Sequence, residues 1–115
     1  MKYNHAAVTI STEENVSFYE RLGFHVRSRI ERPNDVIFFM DGCGTTVELF
    51  VNKEYQPRPS GPEPLGPKHL AFTVDDFDAI LRDFDCGEIK GTSGSRRTFT
   101  LDPDGTSIEF IEQKK

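Results

Sequence analysis

An α+β chain made of two tandem βαβββ modules is what this sequence predicts, and three observations predict it. Asn4-His5-Ala6-Ala7-Val8-Thr9-Ile10 lays over Lys68-His69-Leu70-Ala71-Phe72-Thr73-Val74, with His, Ala and Thr identical at alternating positions. Asp41-Gly42-Cys43-Gly44-Thr45-Thr46-Val47-Glu48-Leu49 lays over Asp102-Pro103-Asp104-Gly105-Thr106-Ser107-Ile108-Glu109-Phe110, matching an Asp, a Gly, the Thr and the Glu. Directly after the first strand of each half comes a stretch of helical periodicity.

The elements follow in order. Residues 4–10 alternate with period two and read as a strand. Ser11 to Glu14 offers a capping box, Val16, Phe18, Tyr19 and Leu22 share one broad face, and Gly23 supplies a left-handed stop. Strands are expected at about 24–31, 35–41 and 45–51, and they close a first module of about residues 1–52. The connection of about 53–67 carries Pro57, Pro59, Pro62, Pro64 and Pro67, so it should be extended and stiff. A second module, about 68–115, repeats the order: a strand at 68–74, a helix capped by Asp75 or Asp76, and strands at about 86–90, 96–101 and 106–112. Phe77, Ile80, Leu81 and Phe84 fall at i, i+3, i+4 and i+7 on that helix, and Gly87 follows it.

At 115 residues the chain reads as a single domain, and its Leu, Ile, Val and Phe content is enough for a packed core. The formal net charge of −5, with no Lys/Arg cluster, argues against nucleic acid and anionic membrane surfaces as partners. A small-molecule substrate or a protein partner remains. With no signal peptide and no apolar run long enough to span a bilayer, the expected location is cytoplasmic. Cys43 and Cys86 lack a C-x-x-C partner and read as free thiols.

Alternation then decides where the polar residues point. His5 shares a strand face with Ala7 and Thr9, and His69 shares one with Ala71 and Thr73, opposite the large apolar side chains. Glu48 lies between Val47 and Leu49, and Glu109 between Ile108 and Phe110, so each carboxylate turns away from its apolar neighbours. Taken singly, a strand His or Glu is most often a hydrogen-bonded or solvated residue. Recurrence of the pair at the same place in both halves favours a ligand set, because two imidazoles and two carboxylates suit nickel, cobalt, zinc, manganese or iron. Such an ion lowers the pKa of bound water and polarises an oxygen, and an adjacent carboxylate serves as base.

These residues, with Phe18-Tyr19-x-x-Leu22-Gly23-Phe24 and Asp102-Pro103-Asp104-Gly105, resemble the vicinal oxygen chelate superfamily, also called the glyoxalase/bleomycin resistance/dioxygenase superfamily. The resemblance covers essentially the whole chain. It implies two modules forming a curved eight-stranded sheet around one metal cleft, with His5, Glu48, His69 and Glu109 as ligands, in an order similar to bacterial glyoxalase I. The implied reaction converts the hemithioacetal of methylglyoxal and a thiol into a lactoyl thioester. Glu109 would take the C1 proton, the cation would stabilise the enediolate, and Glu48 would act on the opposite face. Asn52, four after Glu48, matches an asparagine that contacts glutathione in the family, whereas Thr9 stands where an arginine is expected, so the thiol is left open. Arg58-Pro59-Ser60-x-Pro62-Glu63 and Arg97-x-Phe99 are similar to a small glyoxalase-like subgroup. The resemblance also implies a homodimer, with modules paired within one chain or swapped between two.

Among the remaining polar residues, Arg96 and Arg97 are candidates for holding a substrate carboxylate or phosphate, set against an ordinary solvated pair. His25 reads as a surface residue, the DPDG segment as a turn, and the phenylalanines as core, with Phe50 an exception at a rim. Two other function classes compete: a metal-free small-molecule binding or resistance protein, and another metalloenzyme such as an epimerase, a fosfomycin-type transferase or an extradiol dioxygenase. Sequestration needs none of the four ligands. The last two enzymes use two histidines and one glutamate, so an acidic residue at position 48 counts against them.

Overall fold

A computed structural model describes residues 1–113. The chain divides into two compact units, Met1–Pro57 and Arg58–Lys115.

In the first unit the order is β1 (Ala6–Ile10), a 3-10 turn (Glu13–Asn15), α1 (Val16–Leu22), β2 (His25–Glu31), β3 (Val36–Gly42) and β4 (Thr45–Val51). Its sheet runs β1-β4-β3-β2, with β1 parallel to β4 and the other pairs antiparallel. Val47, Leu49 and Val51 of β4, Phe38 and Met40 of β3, and Ile10 of β1 are buried, as are Val16, Phe18 and Tyr19 of α1. The helix starts differently from the expected box at Ser11. Thr12 caps the 3-10 turn through its side chain, accepting from the Glu14 N–H, while the Ser11 hydroxyl receives the Asn15 amide. Gly23 does end α1 as expected, at φ +115, with its N–H on the Glu20 carbonyl and that of Phe24 on the Tyr19 carbonyl. The β3–β4 hairpin closes through Cys43 and Gly44, both at positive φ, which gives the two-residue turn that matches strand twist.

The second unit contains β5 (His69–Val74), α2 (Phe77–Asp83), β6 (Arg97–Leu101) and β7 (Ser107–Glu112), in a sheet of order β5-β7-β6. Here too the first strand is parallel to the last and the hairpin antiparallel. Phe77, Phe84, Ile108 and Phe110 form its buried centre, with the Phe84 and Phe110 rings 5.2 Å apart. Asp76 is the helix cap, accepting from the Ala79 N–H at 3.0 Å. The helix ends at Asp83 rather than running to a glycine stop at Gly87, because Phe84 turns to extended backbone and its ring is drawn into the core. Asp102-Pro103-Asp104-Gly105 is the expected turn: the Gly105 N–H bonds the Asp102 carbonyl, and the buried Asp102 carboxylate accepts from the N–H groups of Asp104 and Thr106.

One expected strand does not form, so the described residues give seven strands in two hydrogen-bonded sheets instead of one sheet of eight. Residues 86–90 lie beside β6 but pair with it through only an isolated bridge, Lys90 with Arg97, and the Gly87 N–H on the Phe99 carbonyl. Buried hydroxyls take the place of the ladder. Thr100 donates to the Asp85 carbonyl at 2.8 Å, and Thr98 reaches the Gly87 and Glu88 carbonyls at 3.1 and 3.3 Å. A stretch of Asp, Cys, Gly and Glu has weak strand propensity, so these bonds suffice to hold it irregular.

Candidate functional site

Both sheets leave one face without a helix, and the residues singled out by alternation stand there. In β1 and β5 the positions that share the histidine face, Ala7, Thr9, Ala71 and Thr73, are exposed. Glu48 lies directly across from Ala7 in the parallel pair, and Glu109 directly across from Ala71. Each carboxylate therefore sits two residues further along the sheet than its histidine, one step on the same face, with only a methyl group beside it on that side.

That register brings His5 Nε2 to 3.0 Å from a Glu48 oxygen, and His69 Nε2 to 3.4 Å from a Glu109 oxygen. Two donors on one divalent ion, each about 2.1 Å from it, are separated by about 3 Å when adjacent in an octahedron, so both pairs have the spacing of neighbouring ligands. The other nitrogen of His5 is committed as well. The Asn4 amide oxygen lies 2.6 Å from Nδ1, a contact that orients the ring with Nε2 toward the carboxylate. Each pair by itself supplies two donors; among the described residues no group of three or more His, Cys, Asp or Glu side chains is gathered as a metal site.

Phenylalanines complete each face in a way the sequence reading missed. Phe39 of β3 is the cross-strand partner of Glu48, and Phe99 of β6 is the partner of Glu109. The Phe99 ring meets His69 edge-on, centroids 5.3 Å apart at 82°, and Arg27 lies over the Phe39 ring at 5.5 Å. Overlaying the halves on their turn aspartates puts Phe39 and Phe99 one position out of step, because the first hairpin turns in two residues and the second in five. The alternating run Arg97-Thr98-Phe99-Thr100-Leu101 carried the signal for Phe99. Phe50, expected at a rim, is half-buried with Arg32 over its ring at 5.7 Å.

The two adjacent arginines separate. Arg96 faces the helix side, where it bonds both oxygens of Glu112, reaches Asp78 at 3.1 Å and lies 4.6 Å over the Phe77 ring. This guanidinium, with two backbone N–H groups on the same carboxylate, holds Glu112 down to about 2. Arg96 is thus a clamp between β7 and α2, not a substrate residue. Arg97, on the opposite face, is exposed. Asn52 extends the β4 edge by bonding the Ile10 carbonyl, and its side-chain oxygen accepts the Glu54 N–H in a turn. His25 is exposed, as expected. Both cysteines are free, and burial pushes the two thiols up.

Known proteins share this fold. Residues 2–110 match the Glyoxalase/Bleomycin resistance protein/Dioxygenase superfamily. The chain is 34% identical to the uncharacterized protein YaeR of Escherichia coli (strain K12), over 98% of each. A glyoxalase family protein from Enterococcus faecalis superposes with a TM-score of 0.85 at 29% identity, covering 96% of this chain and 97% of that one. The fold is also that of a trypanothione-dependent glyoxalase I from Leishmania major, at a TM-score of 0.73 and 24% identity over 98% and 87% of the two chains.

Proposed function

The chain belongs to the glyoxalase/bleomycin resistance protein/dioxygenase superfamily, and from that premise we propose that it is a metal-dependent lyase/isomerase of the glyoxalase I kind. Its substrate is the hemithioacetal of methylglyoxal and a thiol, and its product a lactoyl thioester. The observation that supports this most is the repeated pair, His5 with Glu48 and His69 with Glu109, each at the spacing of neighbouring ligands.

The four side chains would hold one divalent ion, drawn from nickel, cobalt, zinc, manganese and iron. When bound, such an ion would polarise the substrate's two vicinal oxygens, on C1 and C2, and so acidify the C–H at C1. Glu109 takes the proton from C1 and returns it at C2 while the C1 hydroxyl proton passes to the C2 oxygen, a role that suits a carboxylate flanked by Ala71 and Phe99 and, among the described residues, paired to no lysine or arginine. Glu48 completes the ligand set and faces the substrate from the other side. Asn4 fixes the His5 ring, while Asn52 and Arg97 contact the parts of the substrate that do not react. The protein works as a cytoplasmic homodimer in this reading.

Calorimetric titration of metal-stripped protein with nickel and with zinc tests it. About one ion per four-residue set is expected, with affinity weakened at least tenfold in Glu109→Gln. No binding in the wild type sinks the isomerase and leaves a metal-free binding protein as the better account.

A further inference from the structure

Seen from its uncovered face, the second sheet carries its polar groups in rows. Arg97 of β6 is opposite Ile111 of β7, Phe99 is opposite Glu109, and His69 of β5 begins the following row. Successive rows on one face of a sheet are about 7 Å apart, and diagonal neighbours such as Glu109 and Arg97 are separated by roughly 7–8 Å. A cation therefore stands one row away from the carboxylate that the proposed reaction uses, with the Phe99 ring beside the path between them.

That cation is unusual in its surroundings. Arg96, its neighbour in sequence, is saturated by Glu112 and Asp78. Among the described residues the Arg97 guanidinium has no hydrogen-bond or ion-pair partner. Its cross-strand partner in the isolated bridge is Lys90, also exposed and also without an anionic partner among the described residues. Bridge partners share a face, and like charges directly opposite each other repel. In a chain of net charge −5, two unneutralised cations side by side next to a His/Glu pair are a place where an anion relieves a local cost.

We propose that Arg97, with Lys90, selects the thiol half of the substrate: a compact thiol acid whose carboxylate is held by this pair while its apolar stem lies on Phe99 and the hemithioacetal's vicinal oxygens reach His69 and Glu109. The guanidinium fork fits a carboxylate bidentately, and the single-row spacing sets the acid group about three to five bonds from the reacting oxygens. A long thiol conjugate with its charges far from the reacting carbon does not meet that spacing. The inference rests on His69 and Glu109 being the reacting end of the site.

The test is a titration of isotope-labelled full-length protein, without metal, followed by backbone amide shifts. Two ligands are compared, 2-oxoglutarate and 2-oxopentanoate, which share the same oxygen pair and differ in the tail carboxylate. The expected result is a preference for 2-oxoglutarate of about tenfold or more, centred on β6 and β7, as for a hydrogen-bonded charge pair. That preference should vanish in Arg97→Gln, weaken in Lys90→Gln and survive in Arg82→Gln, a change on the exposed side of α2. Equal affinity for the two acids, no binding of either, or a preference that survives Arg97→Gln overturns the proposal. Inorganic phosphate shifting the same amides at lower concentration overturns it in favour of a phosphate ligand. A parallel nickel titration keeps the two readings apart: an acid preference without nickel binding leaves the Arg97 site and removes the isomerase, and nickel binding without an acid preference does the reverse.

Discussion

Arg96 and Arg97 show how much one position changes in a strand. Both are arginines at the head of β6, yet one is tied to Glu112, Asp78 and Phe77 while the other faces the uncovered side. Residue identity alone could not separate them; the register of β6 against β7 does, since Arg97 pairs with Ile111 and so shares the face of Glu109. Alternation was enough for the histidines and glutamates, because each lies in a run whose neighbours are plainly apolar. It failed for Phe39, whose run Val36-Ile37-Phe38-Phe39-Met40 is apolar throughout, while for Phe99 the signal lay in Arg97 sharing its face. The clamp on Glu112 makes a pH prediction. Its carboxyl is held at about 2 against an ordinary 4.5, so its contribution to stability is complete above pH 4.5 and is lost as pH falls toward 2. Chemical denaturation of the wild type and Arg96→Gln across this range should therefore give stabilities that differ most at neutral pH and converge near pH 2. A constant difference would mean that Arg96 acts through packing on Phe77 alone.

At the scale of elements, most boundaries were legible because turn chemistry marks them. Gly23, Asp76 and the DPDG turn each do what their residue type dictates. The missing strand at 86–90 was not legible, since it depends on which carbonyls Thr98 and Thr100 reach, and both threonines are buried positions that a strand reading treats as filler. Thr98→Val should cost about 1–3 kcal/mol in a urea unfolding experiment, because the Gly87 and Glu88 carbonyls lose their donor. A neutral result would show that solvent replaces the hydroxyl. Gly42 answers to a different constraint: a Cβ there would run into the Gly23 carbonyl and Phe24 Cα, so the end of α1 and the β3–β4 hairpin pack backbone to backbone.

For the molecule as a whole, the duplication is deeper than residue identities. Both units place a parallel first and last strand, an alanine across from the glutamate on one side and a phenylalanine on the other. The connecting residues 53–68 are exposed throughout, as a proline-rich spacer should be, and no described helix is long and apolar enough to cross a membrane. The homodimer is a matter for light scattering at micromolar concentration, where a mass of about twice 13.1 kDa is expected and a monomeric mass counts against the proposed assembly.

The replacement of a strand by hydroxyl bonds along 85–90 has a consequence for motion. Segments held by few backbone bonds open locally at a fraction of the global unfolding free energy. Amide hydrogen exchange should accordingly be fast from Asp85 to Ile89 and slow in β7, and equal protection in both would refute the idea. The strand bordering this loose hem is β6, which carries Arg97 and Phe99, whereas His69 and Glu109 belong to β5 and the central β7. β6 can then breathe while β5 and β7 hold the His69–Glu109 pair in place, so positions 97 and 99 are open to change over generations without disturbing that pair.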